Sequence, residues 1–319
     1  MTSGLHRAIA AAAVLLSLTV TAAQQRFQSA VDVVTVPVAV TTSNRPVAGL
    51  TAADFALTDN GVRQTIEAVS VETLPIDVTL LLDASSSVRG ALLNRLKAAV
   101  TSTATLLTPA DRLRLIAVQN VVHEVLPWQP GGRTPDLSGL AASGSTSLYD
   151  GLAAALMQRS PPDRRQLIVT YTDGIDTSSV MSPANVTAIA SRTDAVVHVV
   201  LIIEDLSSLR GNRMASGIVG LGGRISSVSP GLSTADEQQL PPVRHMHDVV
   251  TGPTGGQVFP VDQQDPIGRA FSDAIRDFRT SYVLRYTPEG VAADGWHSIA
   301  VSVTRAGKFD VRARRGYGG

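Results

Sequence analysis

The chain has 319 residues, enough for one large or two modest domains with apolar cores. A hydrophobic fraction of 44% with 17% charged residues describes a globular chain and excludes a disordered one. Lys plus Arg and Asp plus Glu both number 27, so no net field selects nucleic acid or an anionic membrane, and the lack of cysteine excludes disulfides, thiolate metal sites and a cysteine nucleophile.

Residues 1–23 read as a secretory signal. His6 and Arg7 lead into the apolar run 8–18, and Thr21, Ala22 and Ala23 supply a small-residue cleavage region. The run is shorter than the ~20 residues of a spanning helix, and no later segment is long and apolar enough to span. The mature protein is expected to be exported, periplasmic or secreted, without a transmembrane segment.

A first β segment follows over 27–75. Val34, Val36, Val38 and Val40 alternate with Thr35, Pro37 and Ala39, the period of a half-buried strand. Pro37 cannot donate to a ladder and predicts an edge or a bulge there. Residues 55–57 form a second strand, Asn60-Gly61 a tight turn, and 62–71 the returning partner. From Ile76 to 279 the pattern changes to alternating strands and helices. Strands are expected at 78–82, 113–118, 167–170 and 196–203. Helical stripes run through Leu93, Leu96, Val100, Ala104 and Leu107, through Leu148, Leu152, Ala155 and Leu156, through 184–190 and through 267–278. This alternation predicts an α/β fold, a doubly wound and mostly parallel sheet with helices on both faces. Residues 205–245, rich in Ser, Gly and Pro, read as a long surface insertion. Beyond 280 the β period returns at 282–286, at Ile299, Val301 and Val303, and at Phe309 and Val311. A small β-sandwich built from both chain ends, 27–75 and 280–319, is the expected partner of the α/β part.

The residues with chemistry to offer lie where such a sheet binds ligands, beyond the carboxyl ends of its strands. Asp83 follows the strand 78–82 and opens D-x-S-x-S with Ser85 and Ser87. Alone, such a stretch is an ordinary helix cap, since Asp and Ser satisfy the free amides of a helix start. Two further loops alter the reading: Thr146 in SGSTSLYDG opens a helix, and Asp173 in LIVTYTDGID ends a strand. Together they offer two carboxylates and three hydroxyls, an all-oxygen set suited to a hard cation such as Mg²⁺, with Mn²⁺ or Ca²⁺ as alternatives.

D-x-S-x-S, a threonine before a helix and T-D-G after a strand resemble the metal-ion-dependent adhesion site of von Willebrand factor type A domains. The resemblance covers roughly 76–279. It implies that Ser85, Ser87 and either Thr146 or Asp173 touch the metal, with Asp83 bound directly or through water. Many relatives have glycine where this chain has Ser86, here taken as a bystander. The flanks VAGLTAADFALTDNGVRQTI and SYVLRYTPEG…VRARRGYGG resemble bacterial secreted proteins of the von Willebrand factor A-related kind common in acidobacteria. By this resemblance the protein is a cation-dependent binding module that captures an acidic side chain of a protein partner, and not an enzyme. A metal-stabilised envelope assembly protein is the alternative. A metal-assisted hydrolase is less supported, because both nearby carboxylates are committed to the metal and no other base is evident.

Other candidates weigh less. His245, His247 and Asp248 in RHMHD have metal-ligand chemistry at a spacing that arises easily by chance. Gly220 to Gly223 do not join a strand to a helix, and neither G-x-S-x-G nor a P-loop occurs. Arg312, Arg314 and Arg315 read as a solvated basic strand face, His123 and Glu124 as surface polar residues. Asp150, four residues after Thr146, is placed to support the site from behind.

Overall fold

A computed structural model describes residues 33–43, 45–204, 206, 238–262 and 265–318. The predicted signal over 1–23, the glycines at 220–223 and most of the 205–245 insertion lie outside these residues. No helix among those described is long and apolar enough to cross a membrane.

The central sheet has six strands: β6 (Ile76–Asp83), β7 (Arg112–Val118), β8 (Val122–Pro130), β9 (Arg165–Thr172), β10 (Val196–Ile202) and β11 (Val258–Val261). Their order is β11-β10-β9-β6-β7-β8, with every pair parallel except β7–β8. Numbered within the sheet, this is the 3-2-1-4-5-6 order of doubly wound folds. Helices α1 (Ala91–Leu106), α2 (Leu148–Leu156), α3 (Pro183–Ala190), α4 (Pro241–Met246) and α5 (Ile267–Thr280) cover both faces. The unbroken apolar run of β6 is explained by this double cover. Val78, Leu80 and Leu82 pack toward α1 and α5, whereas Leu81 packs on the other side with α2, α3 and α4.

Strands from the two ends of the chain pair with each other. β1 (Val34–Thr42) lies between β12 (Tyr282–Tyr286) and β14 (Asp310–Ala313), with β5 (Ala68–Val71) beyond β12 and the short β2 (Arg45–Pro46) on β1. A second sheet runs β15-β13-β3-β4, from Gly316–Gly318, Trp296–Val303, Phe55–Asp59 and Val62–Gln64. Both sheets contribute to one apolar cluster, in which Val36, Val38, Leu57, Tyr282, Leu284 and Ile299 meet.

Three expectations are corrected here. β1 is not an edge strand, but its register with β14 covers Val38 to Thr41, so the flank opposite β12 is open at Pro37 and no ladder bond is lost. The hairpin turn at Asn60 and Gly61 forms with φ of 47° and 82°, yet the return does not run to Val71. It stops at Gln64, and β5 crosses to the other sheet to pair with β12. Finally, the end of the presumed insertion is ordered: α4 begins at Pro241 and runs through a π turn, His247–Thr251, into Gly252–Thr254.

Candidate metal site at the switch point of the sheet

Where the strand order reverses, between β6 and β9, neighbouring connections leave in opposite directions and open a crevice. Asp83 ends β6, and Asp173 follows β9 directly. Both line a cleft of about 60 Å³ together with Ser87, Val88, Leu92, Tyr171, Ile202 and Glu204. That is room for about two water-sized groups.

The loop after β6 is built around Asp83. Its carboxylate is buried and accepts the Ser85 amide at 2.9 Å, while the Ser85 and Ser87 hydroxyls lie 2.9 Å apart. Neither serine caps α1, whose N-cap is Gly90 with no side-chain bond. The capping reading therefore fails; the two hydroxyls bond each other, and Ser87 also lines the cleft. Thr146 is also buried, and its side chain draws the Asp83 carboxyl down. Of the five residues singled out in the sequence, Asp83, Ser87 and Asp173 line the cleft, while Ser85 and Thr146 act on the Asp83 carboxyl beside it.

Backbone bonds stitch the three loops together. Ser86 is no bystander: its amide and its hydroxyl both donate to the Gly144 carbonyl, at 3.0 and 2.9 Å. The Ser143 amide returns to the Ala84 carbonyl at 2.9 Å. Thr146 gives its amide to the Thr177 hydroxyl at 2.9 Å and takes the amides of Thr177 and Ser178 on its carbonyl. Gly174, at φ 81°, makes the turn that no other residue makes cheaply, and Asp173 accepts the Ile175 amide at 2.9 Å. Asp150 accepts the amides of Val180 and Met181, so it secures the loop that carries Asp173.

The electrostatics are those of an unpaired acid. Burial pushes the Asp83 carboxyl up to about 6; the bonds from Ser85 act against this, the like charge of Asp173 adds to it, and Thr146 opposes it. All of its donors are neutral. Two carboxylates and three hydroxyls held this way fit a hard divalent cation, which would lift the cost of ionising Asp83. Among the described residues no group of three His, Cys, Asp or Glu side chains is close enough to hold a metal by itself, so the hydroxyls have to complete any such site.

Sequence reasoning missed Glu204, which lines the cleft from beyond the end of β10. No motif marks it; only the placement of β10 beside β9 brings it there. It also missed Asn120, whose side chain takes the Ser145 amide at 2.6 Å, and Gln119, which donates to the Ala84 and Ala141 carbonyls.

The remaining candidates are accounted for by other partners. His245 bonds the Tyr149 hydroxyl at 2.8 Å, His247 the Thr251 hydroxyl at 3.1 Å, and Asp248 pairs with Arg315, so the three do not converge. Of the three C-terminal arginines expected on a solvated face, only Arg315 is exposed. Arg312 pairs with Asp277 of α5, and the buried Arg314 reaches the Ser191 carbonyl at the end of α3 and the Gly316 carbonyl.

Neither a family model nor a curated protein matches the chain. Among solved structures it is similar to the von Willebrand factor type A protein from Catenulispora acidiphila, at 13% identity and TM-score 0.45 over 85% of this chain and 75% of that one. It is also similar to the conserved hypothetical protein BatB from Bacteroides thetaiotaomicron, at 16% identity and TM-score 0.40 over 64% and 98% of the two chains. A third likeness is to proximal thread matrix protein 1 from the mussel byssus, whose structure has a zinc-occupied MIDAS motif, at 12% identity and TM-score 0.43 over 69% and 49%. The strand order of the chain itself, with Asp83, Ser87 and Asp173 lining the cleft at its switch point, agrees with the α/β fold expected from the resemblance to von Willebrand factor type A domains.

Proposed function

We propose that the protein is an exported, cation-dependent binding module. A divalent cation, Mg²⁺ or else Mn²⁺ or Ca²⁺, is held by Asp83, Ser85, Ser87, Thr146 and Asp173 and takes an acidic side chain of a protein partner. The observation that carries this reading is the buried Asp83, bonded only by neutral donors and facing the like-charged Asp173. Two carboxylates offset the cation's charge, while the neutral hydroxyls leave it able to attract a further anionic oxygen. Export rests on the character of residues 1–23. No enzymatic step belongs to this reading, since both motif carboxylates are engaged with the cation.

Thermal unfolding with and without Mg²⁺ tests it. A ligand at 100 times its Kd stabilises the native state by about 2.7 kcal/mol, which amounts to several degrees in Tm. Asp83→Asn should erase that response while leaving the metal-free protein at least as stable as wild type, because it removes a buried like charge. A melting curve indifferent to Mg²⁺, Mn²⁺ and chelator would remove the cation from the account.

A further inference from the structure

The ladder between β3 and β4 stops one rung short. Thr304 gives its amide to the Asp54 carbonyl, and Asn60 gives its amide to that of Ser298. Residues 54, 56, 58 and 60 therefore bond toward β13, which leaves Phe55, Leu57 and Asp59 to bond toward β4. On that flank Asp59 faces Val62 and Leu57 faces Gln64. The next rung would join the Ile66 amide to the Phe55 carbonyl, and it is not made. The chain leaves instead for the other sheet, where the Glu67 amide bonds the Arg285 carbonyl at 2.9 Å and β5 begins. Among the described residues neither the Ile66 amide nor the Phe55 carbonyl has a hydrogen-bond partner. The Phe55 amide is already taken, by the Ala52 carbonyl.

Both residues line a cavity of about 310 Å³, together with Ala52, Arg63, Gln64 and Thr65. That is room for about ten water-sized groups. Its walls are fixed without a ligand. Phe55 packs edge-on against Tyr282 at 5.5 Å, and the Tyr282 hydroxyl donates to the Val47 carbonyl at 2.7 Å and takes the Leu50 amide at 3.1 Å. The Gln64 side chain accepts the Glu289 amide at 2.9 Å and donates to the Glu289 carbonyl at 3.0 Å, which pins the end of β4. A ligand entering such a notch has little to order. The exposed Arg63 and Thr65 also line it, and neither side chain has an ion pair or hydrogen bond among the described residues.

One open acceptor and one open donor, left by a single unmade rung, are complemented by a peptide unit: its N–H to the Phe55 carbonyl, its C=O to the Ile66 amide. The unpaired Arg63 adds a preference for a carboxylate nearby. We propose that this notch of the sandwich binds a short extended peptide segment bearing an acidic side chain, whose main chain completes the ladder where β4 departs. The notch lies in the sandwich, away from the switch point, and owes nothing to the cation.

The probe is acetyl-Ala-Asp-Ala-amide, titrated into the full chain in the presence of chelator and followed by backbone amide signals and amide exchange in NMR. Saturable shifts over residues 63–66 and slower exchange of the Ile66 amide are expected. The same peptide with Asn for Asp should bind about three- to fivefold more weakly, the loss of one exposed ion pair. The N-methylated peptide, which has no donor for Phe55, should bind at least about fivefold more weakly. Arg63→Gln should bring the Asp and Asn peptides level while leaving Tm unchanged, which shows that the variant is folded. The absence of saturable shifts, an Ile66 amide that exchanges as before, or an N-methylated peptide that binds equally well overturns the proposal. Equal binding of the Asp and Asn peptides to wild type, or a preference that survives Arg63→Gln, overturns it too. Binding that appears only when Mg²⁺ replaces the chelator places the peptide at the cation site and likewise overturns it.

Discussion

Ser86 occupies the position between two ligand serines where many proteins with this motif have glycine, and its side chain does what a glycine cannot. The hydroxyl adds a second bond to the Gly144 carbonyl beside the one from the Ser86 amide, tying the loop of Asp83 to the loop of Thr146. Ser86→Gly keeps the amide bond, loses the hydroxyl bond and adds backbone freedom. The expected cost is about 1–2 kcal/mol, read from the urea midpoint, together with weaker Mg²⁺ binding in calorimetry as the two loops loosen. An unchanged Mg²⁺ affinity at reduced stability would show that the tie matters to the fold alone. The sequence marked Asp83, Ser85, Ser87, Thr146 and Asp173 because their types and spacing carry chemistry. It did not mark Ser86 or Asn120, because a side chain bonded to a backbone carbonyl or amide leaves no pattern of residue types.

At the scale of elements, what was legible depended on periodicity. β6, β9 and β10 are continuous apolar runs, and the helical stripe through Leu96, Val100 and Ala104 lies where α1 packs. β8 was not foreseen, since Pro127, Trp128, Gln129 and Pro130 follow no strand period; it forms because β7 offers it a bare edge. α4 was hidden by two prolines and a histidine-rich composition, although prolines suit a first helical turn. The arginines near the C-terminus were misread for a related reason, as their partners Asp277, Ser191 and Asp248 are remote in sequence. Their contributions differ with burial. Arg314 is buried and its fork satisfies two carbonyls, so Arg314→Lys should cost about 2–3 kcal/mol in chemical unfolding. Arg315 makes a largely exposed pair with Asp248, and Arg315→Lys should cost less than about 1 kcal/mol. Equal losses would mean that charge, and not the fork, holds β14 and β15 to the helices.

For the molecule as a whole, one joint is sensitive to mild acid. His198 of β10 is fully buried, takes the Gln257 amide on Nδ1 at 3.0 Å, and lies 3.4 Å from Asp277, which Arg312 already engages from β14. Burial holds its imidazole down to about 4. The unfolded chain, with an ordinary value near 6.5, takes up the proton first, so stability is full above that pH and falls as the pH drops from 6.5 to 4. The gap corresponds to roughly 3 kcal/mol. Because Asp83 titrates in the opposite sense over part of that range, the measurement is the difference between wild type and His198→Asn in unfolding free energy against pH. That difference should change by roughly 3 kcal/mol across the window and be flat above it; a flat difference throughout would clear His198 of the role. The pairing of the chain's two ends has a separate consequence, for the order of synthesis. Val36, Val38 and Val40 are made early, but the strands that flank them begin at Tyr282 and Asp310. Closing so long a loop adds little in entropy, since each doubling of length costs only about 0.6 kcal/mol. The burden falls on time instead: while some 240 residues are added, a bare apolar strand waits for a partner, open to pairing with any other unfinished chain.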